Sequence, residues 1–311
     1  MSKNPGKQIT TSFWKNSLLI LSFLICLLQP KLCKGAEGEI SLSSSFLFLK
    51  QPLKYFQSYN PIIPTYLEKK GLLLQAEKDF ALVRIHLKSF SIKILLPPSP
   101  RRPLPLSELL KQEPDYIAAI NGSFFHPSGL LSPVVVRGRA QGRKYGEILN
   151  KDPRTYFCLQ KLKNGQERLF LSQTRKSSAV IFRYLRKRGI KAVELLGGGG
   201  WLLKKGRAVV RENYKKQGFS LYFCKVRKAP RSLFGVDKKG ETIFLISIKN
   251  GKSLFEIADY LQENKVFTGL YDCMFLDGGA STIFVYKNIY LQRPIYLFDR
   301  PIYNSIVVIK K

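Results

Sequence analysis

Apolar and polar positions alternate most regularly from Phe80 onward, where Phe80, Leu82, Arg84 and His86 interleave with Ala81, Val83, Ile85 and Leu87. This period of two, followed by Ser91 to Leu96, predicts two strands. Apolar runs at Tyr116 to Ile120, Val193 to Leu196, Trp201 to Leu203, Cys273 to Leu276, Ile283 to Tyr286 and Ser305 to Ile309 predict more deeply buried strands. Glu241 to Ile248 predicts another, closed by an Asn250-Gly251 turn. Helical spacing is rarer. Ser253 with Glu256 makes a capping box, after which Leu254, Ile257, Ala258 and Leu261 line one helical face. Ser178 can cap a helix running through Arg188, with Gly189 as its stop, and Ser107 a short helix that ends before Pro114. Residues 36–79 mix serines, prolines and aromatics without clear period, which predicts an N-terminal extension with regular structure starting near Phe80. Strands outnumber helices, so residues 80–311 are expected to form one α+β domain on a mostly antiparallel mixed sheet with a few packed helices.

The first 35 residues change the picture of where the protein works. Lys3, Lys7, Lys15, Lys31 and Lys34, with no acid among them, surround an apolar stretch from Ser17 to Leu28. That is the shape of a secretory signal peptide, with the mature chain starting near Ala36 and exported to the periplasm or beyond the cell. An uncleaved membrane anchor is the competing reading, but it needs about twenty apolar residues. The whole chain carries a net charge of +31. Removing the five leader lysines leaves 47 basic against 21 acidic residues, or +26. Such an excess bears on partners: nucleic acid, an anionic cell-envelope surface or an anionic substrate. Export argues against nucleic acid.

Several chemistries are excluded by what is missing. Cys158, Cys224 and Cys273 remain after processing, an odd set that permits at most one bridge and contains no Cys-x-x-Cys pair. His86 and His126 are the only histidines, too few for a multi-histidine metal site. No Gly-x-Ser-x-Gly elbow exists for a Ser-His-Asp site, and no Gly-Lys-Ser/Thr follows the glycine run. No cofactor is expected and no metal site is assigned.

Three turn motifs end apolar strands: Asn121-Gly122-Ser123-Phe124-Phe125, Gly197 through Trp201, and Leu276-Asp277-Gly278-Gly279-Ala280-Ser281-Thr282. Each places glycine where the backbone turns or a ligand approaches closely. A hairpin turn or close strand packing explains each of them singly. Asp277 resists that reading, because a carboxylate between a buried strand and two glycines is rigidly held with little to shield it. Arg231, after Pro230, is either a surface cation or a bidentate phosphate clamp.

Taken in order, these motifs, with Arg231-Ser-Leu-Phe-Gly235-Val-Asp237 and the ending Arg300-Pro301 to Asn304-Ser305-Ile306, resemble the phosphodiester glycosidase family from about Phe80 to Ile309. The family's pocket motifs fall on Asn121, Gly122, Phe125, Gly198, Gly199, Arg231, Asp277, Gly278, Gly279, Ser281 and Asn304. The resemblance implies hydrolysis of a sugar-1-phosphodiester in an envelope or extracellular phosphoglycan. Asp277 would supply the carboxylate, Arg231 would pair the phosphate, and Asn121 and Ser281 would orient sugar hydroxyls. The amides of Gly278 and Gly279 would face developing negative charge. Glu194, just before the glycine run, is the candidate second carboxylate, turned by strand alternation either into the pocket or to the surface. Ser123 and Ala280 stand where family members commonly have glycine. The alternative is a non-catalytic envelope protein that binds an anionic glycan in the same pocket.

Overall fold

The structure, a computed structural model, describes residues 65–100, 102–148, 151–249, 251–293 and 300–311. The predicted leader lies outside the described residues. Three antiparallel sheets carry the fold. The largest has eight strands in the order Thr65–Lys69, Leu72–Ala76, Phe80–His86, Thr242–Ile248, Arg231–Val236, Asp272–Gly278, Trp201–Lys204 and Arg207–Ala208. A second, five-stranded sheet runs Glu167–Thr174, Arg154–Lys161, Lys191–Gly197, Val134–Val136, Arg139–Ala140. The third runs Ile289–Gln292, Phe284–Tyr286, Ala118–Asn121, Ser305–Lys310, Phe90–Leu95.

All three sheets turn one face inward to a common core. Val83, Phe234 and Met274 from the first meet Phe157, Leu159 and Leu196 from the second and Ile92, Ile120 and Ile306 from the third. Phe157 stacks on Phe234, with ring centroids 4.2 Å apart. Helices cover the outer faces, because strand alternation leaves a second apolar row there. Helix Leu254–Glu263 buries Leu254, Ile257, Ala258 and Leu261 against Phe80, Leu82 and Phe244. Its capping box is formed: Ser253 Oγ accepts from the Glu256 amide, and the Glu256 carboxylate accepts from the Ser253 amide at 2.6 Å. Helix Ser178–Lys187 covers the second sheet through Ile181 and Leu185. Helix Leu106–Leu110 covers the third through Leu106 and Leu109. The described residues belong to one compact unit, and the α+β class with a mostly antiparallel sheet is what the chain adopts.

Several expectations change in detail. Regular structure starts upstream of Phe80, since Thr65–Lys69 and Leu72–Ala76 form a hairpin whose second strand pairs with Phe80–His86. Gly71, at φ +77°, makes that turn possible. Residue 107 lies inside its helix, which is entered from Pro105, and the second helix is entered from Ser177 without a side-chain cap. Cys158, Cys224 and Cys273 are buried and free.

Candidate active site

Two of the predicted motifs meet because of strand register. Arg231 opens a strand that is buried along its whole length and lies opposite Gly278, and the pairing slips by a bulge between Arg231 and Leu233. A bulge turns a strand locally and re-aims its side chains. Here it lays Arg231 against Gly278, where an added Cβ would stand 2.9 Å from Arg231 Cδ and 3.1 Å from Nη1. Glycine at 278 is therefore a space requirement, set by a guanidinium.

The Asn121 turn joins from the third sheet. The Asp277 amide donates to the Gly122 carbonyl at 3.0 Å, and Asn121 Nδ2 donates to the Asp277 carbonyl at 2.8 Å. Asn121 Oδ1 accepts from Ser232 Oγ at 2.5 Å and from the Ile283 amide at 3.1 Å. Asn304 binds the other side of the turn: its Oδ1 accepts from the Ser123 amide at 2.7 Å and its Nδ2 donates to Ser123 Oγ at 2.8 Å. Serine in place of a family glycine at 123 thus adds a hydrogen bond. A Cβ at Gly122 would fall 1.8 Å from Asn304 Oδ1. Asn121 and Asn304, both fully buried, spend these polar atoms on neighbouring protein groups. Asn121 thereby braces the Asp277 turn, and Asn304 braces the Asn121 turn.

Asp277 is partly exposed and accepts the Gly278 amide on Oδ1 at 2.9 Å. Loss of solvation raises its carboxyl above the usual aspartate range, while Ser281, the Gly278 amide, Arg300 and Arg231 pull it back. Ser281 Oγ is buried without a hydrogen-bond partner of good geometry, yet lies near enough to Asp277 to favour the carboxylate. The Gly278 and Gly279 amides do not point at a ligand: the first is bound to Asp277 Oδ1 and the second to the Pro230 carbonyl at 2.8 Å.

Arg231 is 1% exposed, and its Nε and Nη2 are buried without a partner. Burial lowers its pKa to about 10, helped by Arg227 and opposed by Cys224 and Asp277, so it remains a cation at neutral pH. Its guanidinium lies 4.5 Å from the centre of the Phe223 ring. Leaving guanidinium donors unpaired in an interior is costly, about 1–3 kcal/mol or more for a charged group. Buried cations that persist in this state are candidates for an anionic ligand.

The sequence names Arg300 only as part of the family-like ending and gives Arg227 no role, and both lie beside these residues. Arg300 sits 5.4 Å over the Phe125 ring, which packs on Tyr303 at 5.2 Å, and its charge acts on Asp277. Phe125 thus carries a cation at the rim. Arg227 stands four residues before Arg231, a spacing that was visible in the sequence but had no strong helical pattern around it.

Two predicted groups lie apart. Gly198 and Gly199 form a packing seam: their amides donate to the Thr155 and Phe275 carbonyls at 2.7 and 2.8 Å. A Cβ on Gly199 would enter the Phe275 ring. The glycine run therefore supports the strand under Asp277 without offering amides to a ligand. Glu194 faces neither the Asp277 cluster nor solvent. Its carboxylate accepts from the Ile94 amide at 3.3 Å and the Arg137 amide at 3.1 Å, tying the edge of the third sheet to the second. Burial pushes its carboxyl up to about 7. A cleft of about 330 Å³ lined by Arg84, His86, Asp237 and Thr242 holds none of the Asp277 cluster.

Residues 114–309 match the phosphodiester glycosidase family. The zebrafish N-acetylglucosamine-1-phosphodiester alpha-N-acetylglucosaminidase catalytic domain, auto-inhibited by its pro-peptide, is 18% identical, with a TM-score of 0.57 over 80% of this chain and 82% of that one. A Synechocystis protein is 17% identical, with a TM-score of 0.52 over 80% and 61% of the respective chains. A Burkholderia pseudomallei protein is 12% identical, with a TM-score of 0.57 over 76% and 74%. These likenesses carry the fold alone, and no curated protein sequence matches the chain. The family match covers well over half of the sequence and contains the Asp277, Arg231, Asn121 and Asn304 motifs, so this chain belongs to the phosphodiester glycosidase family.

Proposed function

We propose that this phosphodiester glycosidase is an exported hydrolase that cuts the bond between a sugar's anomeric carbon and a phosphodiester in an envelope or extracellular phosphoglycan. Residues 1–35 act as its leader, and the basic surface of the mature chain suits an anionic cell envelope. The observation that carries the reading is the placing of one partly exposed carboxylate, Asp277, within electrostatic reach of one buried guanidinium, Arg231, whose Nε and Nη2 lack partners.

Arg231 holds the substrate phosphate, and Asp277 acts at the anomeric carbon, as nucleophile or as base for water. Ser281 Oγ lies near the Asp277 carboxylate and can turn to a sugar hydroxyl or to the phosphate. An ordinary glycosidase needs a second carboxyl to protonate a departing alcohol. A phosphate monoester has a conjugate-acid pKa of about 6, so it departs at neutral pH without that help. Glu194 is consequently dispensable for chemistry, in keeping with its place between two sheets.

Incubation of the purified protein with a panel of sugar-1-phosphodiesters, followed by reducing-sugar detection, tests the reading. Release of the free sugar is the expected result. Binding of the panel without release would favour the non-catalytic glycan binder instead.

A further inference from the structure

Arg227 shares a ring with Arg231. Its guanidinium lies 5.7 Å from the centre of the Phe223 ring that Arg231 approaches at 4.5 Å. Phe223 belongs to the segment Tyr222–Val226, which leads directly to Arg227. Arg227 is exposed at the rim and Arg231 is buried below it. The two flank the same backbone: Arg231 rests on Gly278, and Arg227 Nη2 is 3.5 Å from where a Cβ on Gly279 would be. Gly279, at φ +64°, takes a conformation that suits glycine and keeps this approach open. Like charges this close repel, and the Arg227 charge makes Arg231 harder to hold protonated. Asp277 is the only carboxylate acting on Arg231 among the described residues, and it also answers Arg300. Arg231 and Arg300 both act on Asp277, and Arg227 acts on Arg231, so the cluster carries an excess of positive charge for a ligand to neutralise.

A phosphodiester brings one negative charge, whereas a phosphomonoester at neutral pH brings about 1.5 to 2. We propose that Arg227 and Arg231 form a two-guanidinium clamp whose preferred occupant is a phosphomonoester dianion, the fragment released by the reaction, so that Arg227 sets how tightly that product is held. The identification of the occupant as product rests on the hydrolase reading above; the clamp itself does not. Substrate enters on Arg231 with a single charge, and cleavage of the anomeric carbon–oxygen bond leaves the bonding electrons on the phosphate. The new charge then engages Arg227 at the rim.

Calorimetric titration with methyl phosphate and dimethyl phosphate near pH 7.5 separates dianion from monoanion without any turnover. Wild-type protein is expected to bind methyl phosphate about tenfold more tightly, the size of one charge-assisted contact. Arg227→Gln should lose most of that preference while binding dimethyl phosphate nearly as before, and Arg227→Lys should restore part of it. Lys225→Gln, an exposed neighbour, should leave the preference intact. The clamp is refuted if wild-type protein shows no preference, if Arg227→Gln keeps it, or if Lys225→Gln removes it equally. A preference that depends on Arg227 in a protein with no glycosidase turnover would sustain the clamp and sink the hydrolase reading.

Discussion

Asn121 Nδ2 donates to the backbone carbonyl of Asp277 across 2.8 Å, so a side chain on the third sheet holds the turn that carries the site's carboxylate on the first. The same amide accepts from Ser232 and Ile283, which makes it a three-way brace. Asn121→Ala would strand these partners in the interior, at about 1–3 kcal/mol for each buried group left unsatisfied. The expected outcome is a loss of about 3 kcal/mol or more in urea denaturation, with turnover of the folded fraction also reduced. Unchanged stability would show that the brace is redundant.

Glu194 gives a prediction about pH and stability. Its carboxyl is pushed up to about 7 from an ordinary 4.5, chiefly by burial. Between those values the folded protein keeps the proton that the unfolded chain has released, so stability falls as pH rises through that window. The span corresponds to a loss on the order of 3 kcal/mol. Glu194→Gln should flatten that part of the stability curve and change turnover only a few-fold. An equally steep curve in the variant would assign the proton elsewhere.

In the proposed reaction turnover depends on the Asp277 carboxylate, whose pKa lies above the ordinary aspartate value of 3.8 because solvation is lost. The acid limb of kcat/KM should therefore fall at a pH higher than an unperturbed aspartate would give. Arg300 favours the ionised form, so Arg300→Gln should move that limb further upward. A limb that moves downward in this variant would contradict the electrostatic role of Arg300.

Arg231 is expected to tolerate lysine poorly. A point charge on a flexible stem replaces a planar fork, and in an interior it leaves part of the space over Phe223 empty. Loss of one or two charge-assisted bonds to phosphate, about 1.5–3 kcal/mol, should raise KM for a phosphodiester by roughly 10- to 100-fold. A normal KM in folded Arg231→Lys would remove Arg231 from the phosphate site.

Legibility in the sequence followed local periodicity. Phe80–His86 and the Ser253 helix could be read because alternation and the capping box are local signals, and both formed. The hairpin of Thr65–Lys69 and Leu72–Ala76 follows a proline-rich lead-in that blurs its alternation, although its pairings, with each other and with Phe80–His86, are local. Strands Arg154–Lys161 and Glu167–Thr174 also pair through a short turn at Asn164-Gly165, and their charged ends blur the apolar rows that would mark them in the sequence. Turn motifs marked the place of Asp277, Asn121 and Asn304 but not which of them faces a ligand. That distinction depends on hydrogen bonds between sheets. Glu194 shows the same gap: alternation could turn it inward, but only the fold shows that inward means the seam between two sheets. Arg227 does not stand out among 52 basic residues, and Arg300 stands out only as part of a motif, because a cation's importance here comes from which charge and ring it meets.

The central claim is that one carboxylate, Asp277, does the chemistry. It is tested most directly by kcat/KM of Asp277→Asn on a sugar-1-phosphodiester that the wild-type enzyme cleaves, with circular dichroism confirming that the variant is folded. Removing a base or nucleophile typically costs at least about 10²-fold, and a loss of that size, beside a nearly active Glu194→Gln, is the predicted result. Near-normal turnover in folded Asp277→Asn would contradict the account.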